Sequence, residues 1–237
     1  APDIEATPTA ATTSLSHAEL QTRLPSNLIQ ALENVAGVNQ VSEGQAAVPA
    51  VRGLSGGRTL ILIDGARVNS ERRAGASATF LDPEVLESVE VARGPGSVAY
   101  GSDAFGGVIA VTTRKVAPSS PWAGRLSTTA GTGVPEWRVG ADVSKGLEAG
   151  SLLVAAHGRR ADDWTSPAGT VFNSGYRDIG VLAKVTHTLG DGYLSVGYQG
   201  DGGRDIERPR NNSRTVRFFY PEENSHRFAA EYDKPDV

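Results

Sequence analysis

Beyond Ala123 the apolar residues fall on every second position, in one segment after another. Trp137, Val139, Ala141 and Val143 alternate with Arg138, Gly140, Asp142 and Ser144. Ile179, Val181, Ala183 and Val185 alternate with Asp178, Gly180, Lys184 and Thr186, broken only by Leu182. Leu194, Val196 and Tyr198 alternate with Ser195, Gly197 and Gln199, and Phe228, Ala230 and Tyr232 with Arg227, Ala229 and Glu231. A period of two sends successive side chains to opposite faces of a sheet, so each of these segments is a two-faced β-strand. Six candidate strands follow, near 124–131, 136–146, 150–160, 176–188, 192–201 and 225–233. Tight turns join some of them at 146–150 and 189–192, while 161–175 and 202–224 read as long polar loops.

Short turns at one end, long loops at the other and strands of about ten residues suit an outer-membrane barrel crossed at ~45°. A soluble β-sandwich also alternates, and calls for strands of about five or six residues. No apolar run approaches the ~20 residues of a membrane helix, so an integral membrane protein of this kind crosses with strands.

The first half has a different grain. Residues 1–14 are rich in Ala, Thr and Pro and read as a flexible lead-in with one short strand at most. Ser16 with Glu19 three residues on is a capping box opening a short helix. Pro25-Ser26 opens a second, with Leu28, Ile29, Leu32 and Val35 on one core-facing side and Gly37 as its stop. Residues 39–58 are loop-like, punctuated by Gly44, Pro49, Gly53, Gly56 and Gly57. Thr59 to Ile63 is a continuous apolar run, the mark of a strand covered on both faces, and Asp64-Gly65 is a tight hairpin turn returning through Ala66 to Asn69. Asp82-Pro83 starts a short acidic helix, and 88–93 and 108–113 are strands around a glycine-dense loop. The fold class is therefore an α+β unit followed by antiparallel strands.

Several chemistries are excluded by the residues present. Cys is absent, so there is neither a disulfide nor a thiolate nucleophile. His17, His157, His187 and His226 are scattered with no metal-ligand spacing, so no metal is expected. The glycines of RGPGSVAYG and FGGV lack both the Lys-Ser/Thr ending of a P-loop and the dinucleotide pattern, so no cofactor is expected. Gly94, Pro95, Gly96, Gly101, Gly106 and Gly107, with Asp64 and Gly65, are read as turn and close-approach positions. Ser97 and Ser102 sit in no nucleophile elbow, and Tyr100 reads as a packed aromatic. A net charge of −4 gives no reason to expect nucleic acid. A chain without Met that starts at Ala1 reads as processed, trimmed or a fragment.

Three segments in order resemble the plug domain of TonB-dependent outer-membrane receptors. They are PSNLIQALENVAGV from Pro25, VRGLSGGRTLILIDGARVN from Val51 and VEVARGPGSVAYGSDAFGGVIAVTTRK from Val89. The motifs cover roughly residues 15–115, and the alternating strands beyond fit the start of that family's barrel. Ser88 and Ala110 depart from the arginine and asparagine common there, and no TonB box stands out before residue 15.

The resemblance implies a lead-in at 1–14, a plug at 15–117 and, at 118–237, the first six or so strands of a truncated barrel. It implies a transporter without catalysis, importing a scarce metal chelate across the outer membrane: a ferric siderophore first, haem or cobalamin next. The implied partners are the TonB–ExbB–ExbD energising complex, outer-membrane lipid and a small metal chelate. A non-transporting receptor or adhesin using the plug as scaffold is the alternative.

By the same resemblance, Arg52 and Arg93 would pair with barrel-wall glutamates on strands beyond Val237. The plug loops 42–48, 54–58 and 70–79 would meet substrate, which singles out Glu43, Gln45, Arg58, Glu71, Arg72 and Arg73. In the long loop after residue 201, Arg210 and Arg214 are candidates to engage a ligand, alongside Phe218, Phe219 and Tyr220. Six strands alone would leave apolar faces and unpaired edges exposed, so the isolated segment is expected to be prone to aggregation and inactive in transport.

Overall fold

The computed structural model describes residues 11–42, 44–70, 79–94, 100, 104–132, 134–209 and 214–234. Glu43, Glu71, Arg72, Arg73, Pro95, Gly96, Ser97, Gly101, Ser102 and Arg210 lie outside the described residues. The chain divides into two units, Ala1–Arg114 and Lys115–Val237.

The first unit is built on a five-stranded mixed sheet. In chain order its described elements are β1 (Ala11–Ser16), α1 (His17–Arg23), α2 (Leu28–Leu32), β2 (Val38–Val41), β3 (Val48–Val51), β4 (Thr59–Ile63), β5 (Ala66–Arg67), β6 (Leu86–Arg93) and β7 (Gly107–Thr113). The sheet order is β1-β6-β7-β4-β5, with β4 and β7 parallel and the other pairs antiparallel. Leu60, Ile61, Val89, Val91, Val108, Ile109 and Val111 are each at most 3% exposed, so the apolar runs fill a dry core. Burying each such side chain contributes about 1.5–3 kcal/mol.

Local chemistry explains the ends of these elements. Ser16 caps α1: its hydroxyl accepts from the Glu19 N–H, and the Glu19 carboxylate accepts from the Ser16 N–H at 2.8 Å. Those hydrogen bonds from Ser16, backbone first, hold the Glu19 carboxyl below its ordinary pKa. Leu24, with φ 47°, then closes the helix in the left-handed region. The β4–β5 turn places Asp64 at φ 47° and Gly65 at φ 75°, the twist that a two-residue hairpin turn requires.

Five local expectations are corrected. The lead-in is shorter than 14 residues, since Ala11 to Ser16 pairs along β6 from Arg93 to Ser88. The second helix starts at Leu28, because the Asn27 carboxamide, rather than Ser26, accepts from the Gln30 N–H at 3.0 Å. Residues 39–58 are not simply loop: Val38–Val41 pairs with Val48–Val51, and only Val38 of the first strand is buried, so its sequence shows no period. Asp82-Pro83 gives a single 3-10 turn, Pro83–Val85, because the chain goes directly into β6 at Leu86. The loop expected at 202–224 is mostly strand, as the next paragraph describes.

The second unit is a six-stranded antiparallel sheet of β8 (Ala123–Gly131), β9 (Glu136–Leu147), β10 (Gly150–Ala161), β13 (Tyr176–Leu189), β14 (Gly192–Glu207) and β15 (Phe219–Asp233). The short pair β11 (Thr165–Ser166) and β12 (Gly169–Thr170) lies in the connection between β10 and β13. Each main strand pairs with its sequence neighbour, in the order β15-β14-β13-β10-β9-β8. β14 reaches Glu207 and β15 begins at Phe219, which leaves 208–218 as the loop. Gly200, Gly202 and Gly203 conceal this extension, since a glycine pairs by its backbone but shows no polarity to read. Five of the six strands have 12 to 16 residues, too long for ordinary sandwich strands of about five or six. Among the described residues no helix is long and apolar enough to cross a membrane.

Candidate functional site

The loops of the first unit meet where backbone crowds backbone. Gly106 donates its N–H to the Arg58 carbonyl at 2.8 Å and accepts from the Gly94 N–H at 3.2 Å. A Cβ at Gly106 would stand 2.8 Å from the Val51 carbonyl oxygen, and one at Gly107 would stand 2.3 Å from that of Ala92. No side chain fits either position without moving the sheet, which is why the FGGV motif needs both glycines. Asp64 does more than turn the chain. Its carboxylate accepts the Thr113 N–H at 2.8 Å and the Thr113 hydroxyl at 2.6 Å, clamping the β4–β5 turn to the end of β7.

The charged residues singled out around these loops have distinct settings. Arg93 donates to the Ala36 carbonyl at 2.9 Å, with its stem against Gly37. Arg52 takes a positive φ of 55°, is exposed, and donates its backbone N–H to the Gly37 carbonyl at 2.8 Å. The two therefore converge on the same Ala36-Gly37 turn. Arg58 is exposed. Gln45 is 1% exposed and exchanges hydrogen bonds with Thr79, giving one from its carboxamide at 3.1 Å and taking one at its backbone carbonyl. It holds two loops together instead of facing solvent. Tyr100 packs beside Leu60, Ala104 and Val108, and its carbonyl accepts from Arg67.

The sheet of the second unit has its polarity reversed relative to a soluble domain. Ile179 is 69% and Phe228 78% exposed, whereas Arg159 and Asp178 are 3% and 4% exposed. Register places Val143, Val154, Ala183, Tyr198 and Phe228 in one row across the apolar face. On the other face Arg159 grips Asp178 with two parallel bonds of 2.7 Å, both side chains almost wholly buried. His157 lies 3.7 Å from the same carboxylate. The next rows continue the pattern: Arg227 donates to Gln199, Gln199 to Asp201 at 2.9 Å, and Arg125 to Asp142 at 3.0 Å. A face this polar cannot be a dry core, because each charge requires a charged or hydrogen-bonding partner when withdrawn from water. This is the polarity of transmembrane barrel strands, which are charged toward a lumen and apolar outward. Sequence reasoning assigned no role to this network, although its members are the polar half of the alternation.

Around the 208–218 loop the arginines lie on aromatic rings. Arg208 stands 5.4 Å from the Tyr220 ring centre, Arg214 4.7 Å from that of Phe172 and Arg217 4.8 Å from that of Phe219. Arg217 also pairs with Glu207. Arg208, Arg214 and Arg217 are thus each grouped with an aromatic ring, a contact worth about 0.5–1 kcal/mol where exposed. Among the described residues no group of three or more His, Asp or Glu side chains is placed to hold a metal ion.

Comparisons with known proteins agree with this geometry. Residues 4–108 match a family model described as the TonB-dependent Receptor Plug Domain. The chain is 36% identical over 135 residues to the iron-regulated outer membrane virulence protein of Vibrio cholerae, a match covering 54% of this chain and 20% of that protein. It is 30% identical over 189 residues to the vitamin B12 transporter BtuB of Photobacterium profundum, covering 76% of this chain and 30% of the relative. Among solved structures, the copper transporter OprC superposes with a TM-score of 0.74 at 20% identity, over 93% of this chain and 34% of that one. The siderophore receptor PirA from Acinetobacter baumannii gives 0.67 at 20% identity, over 81% and 31%. The chain thus spans a fifth to about a third of the length of these four proteins. Residues 4–108 are therefore a TonB-dependent receptor plug domain, and the strands that follow it, apolar on one face and charged on the other, share the fold of the transporter structures that the chain superposes on.

Proposed function

We propose that this chain serves energised import of a scarce metal chelate across the outer membrane, as the plug and first barrel strands of a TonB-dependent transporter. With β1 counted to the plug, the lead-in would end before Ala11, the plug would run to residue 117 and the barrel strands over 118–237. The observation that carries the reading is the reversed polarity of the second sheet, which suits a hydrophilic path lined by Arg159, Asp178 and Asp201 and separated from lipid. Binding involves no covalent chemistry, and the work comes from the inner-membrane TonB–ExbB–ExbD complex acting on the plug. Arg52 and Arg93, meeting at the Ala36-Gly37 turn, are the proposed plug-to-wall contacts, because a planar guanidinium suits bidentate pairing with a wall carboxylate. Arg58, Arg210 and Arg214, with the acidic and basic residues of loops 43 and 71–73, are the proposed contacts to an anionic chelate.

A ferric siderophore is the favoured cargo, by similarity to an iron-regulated outer membrane protein and a probable siderophore receptor. Cobalamin is the second reading, favoured by the match to the vitamin B12 transporter along 76% of the chain. The test is growth of a strain lacking the gene, on ferric siderophores as sole iron source and, separately, on limiting cobalamin. A growth defect on one source, repaired by the gene and not by a copy with charge-reversed Arg210 and Arg214, supports that cargo and those contacts. Normal growth on both removes the transport reading and leaves a surface receptor.

A further inference from the structure

The two long connections of the second unit, 162–175 and 208–218, are tied to each other at several points. Glu207, at the end of β14, donates its backbone N–H to the Gly175 carbonyl at 3.0 Å and takes the Gly175 N–H on its carboxylate at 3.1 Å. The other oxygen of that carboxylate pairs with Arg217. Asn173, 5% exposed, donates from its carboxamide to the Val216 carbonyl at 3.4 Å. Next to it, the Arg214 guanidinium lies 4.7 Å from the centre of the Phe172 ring. A Cβ at Gly175 would stand 3.0 Å from the Ala161 carbonyl oxygen and 3.2 Å from the Glu207 carboxylate, so backbone and carboxylate meet there with little room to spare.

Phe172 itself stands between anchored neighbours. Val171 donates its N–H to the Trp164 carbonyl at 2.9 Å, and the Ser174 hydroxyl donates to the Val171 carbonyl at 2.6 Å. The Ser174 N–H goes to the Asp163 carboxylate at 2.8 Å, while its hydroxyl oxygen accepts from the Trp164 N–H at 3.0 Å. Asn173 takes a φ of 62°, which asparagine tolerates better than most residues. The three arginines stacked on rings differ in what their N–H groups do. Arg208 donates to the Tyr220 hydroxyl at 3.3 Å, and Arg217 donates to Glu207. Among the described residues Arg214 has no ion pair or side-chain hydrogen bond. Stacking uses the flat face of a guanidinium and leaves its in-plane donors open to an anion.

We propose that Phe172, Asn173 and Glu207 are positioning residues that hold Arg214 ready to take an anionic group of the cargo chelate. The connection 162–175 supplies a fixed rest for the other connection, and the Arg214 side chain is ordered before cargo arrives. Ordering it beforehand lowers the entropy lost on binding. Arg208 and Arg217, whose donors are occupied, hold the connection in shape instead. The inference rests on the chelate-import reading above and adds to it the residues that act through Arg214.

The test uses the intact protein encoded by the reading frame that contains this chain, folded in detergent micelles. It is titrated with an iron(III) tris-catecholate complex, which is an anion, and with a neutral iron(III) tris-hydroxamate complex. The expected result is binding of the anion that weakens about tenfold or more in R214Q and about threefold in F172L, with F172W close to wild type. In the R214Q background F172L is expected to cost nothing further, because its effect runs through that arginine. Equal losses from F172L in both backgrounds overturn the positioning role. Equal affinity of wild type and R214Q overturns the anion contact, as does tighter binding of the neutral complex. Spin labels at Ala168→Cys and Val216→Cys, in a chain with no cysteine of its own, give a second readout without any chelate. The expected distance distribution is narrow, and it broadens in N173A/E207A. A broad distribution in a wild type that binds the anion sinks this inference and leaves chelate import standing. A narrow one in a protein that retains neither complex removes the import reading, and the cargo role of Arg214 with it.

Discussion

The two units of this chain solve burial in opposite ways. In the first, Val89, Val91 and Ile109 are hidden, and its polar side chains serve caps and turns. In the second, Arg159 and Asp178 are hidden while Ile179 and Phe228 are open. The same backbone pattern of hydrogen-bonded strands carries both arrangements, so strand formation alone does not say which solvent each face meets. The difference teaches that the polarity of the hidden face, rather than the amount of hidden surface, identifies a membrane wall.

Mutations test that contrast directly. The largest expected effect is Asp178→Ala, which leaves the buried Arg159 guanidinium without its bidentate partner and costs about 3–5 kcal/mol. Refolding titrations of the barrel in detergent measure it, and a loss below 1 kcal/mol would mean that the polar face is already well hydrated. Gly107→Ala follows, at about 3 kcal/mol or more, because the new Cβ meets the Ala92 carbonyl oxygen at 2.3 Å. Denaturant unfolding of the protein, followed by a fluorophore on the first unit, reads this loss. Val154→Lys, in the middle row of the apolar face, is expected to cost about 2–4 kcal/mol in a bilayer and little in aqueous denaturant. Equal costs in both media would break the comparison. Asp64→Ala removes two bonds to Thr113 and is expected to cost about 1–3 kcal/mol in the first unit only.

The smallest effect concerns pH. Hydrogen bonds from Ser16 lower the Glu19 pKa, so its contribution is present above the unfolded value near 4.5 and fades as pH falls through the lower folded value. Amide exchange at Ser16, corrected for its intrinsic pH dependence, is expected to be more protected at neutral pH than below that folded value, and Glu19→Gln is expected to flatten the difference.

Much of this was readable from residue order. The capping box at Ser16, the Asp64-Gly65 turn, and the apolar run of β4 each have a local cause, and each forms where it was expected. Four of the six alternating segments match their strands within a residue or two, since both faces carry side chains of contrasting polarity there. Where Gly200, Gly202 and Gly203 remove that contrast, residue order does not reveal the end of β14. The β2–β3 hairpin shows no two-residue period because only Val38 of β2 is buried, so neither face of that strand is distinctly apolar. Candidate site residues were harder to read. The burial of Gln45 against Thr79 and the seating of Arg214 on Phe172 both depend on partners distant in the chain, and such contacts are not written in local period.

Strand order also sets a mechanical ranking. β1 lies at one margin of the first sheet, held laterally by the single ladder from Ala11–Arg93 to Ser16–Ser88. The parallel pair β4–β7 is interior, and its far end is latched by Asp64 to Thr113. A tug entering from the N-terminal side therefore peels β1 first and spends itself on one seam. The four remaining strands keep their order, ready to take the lost strand back when the tension ends.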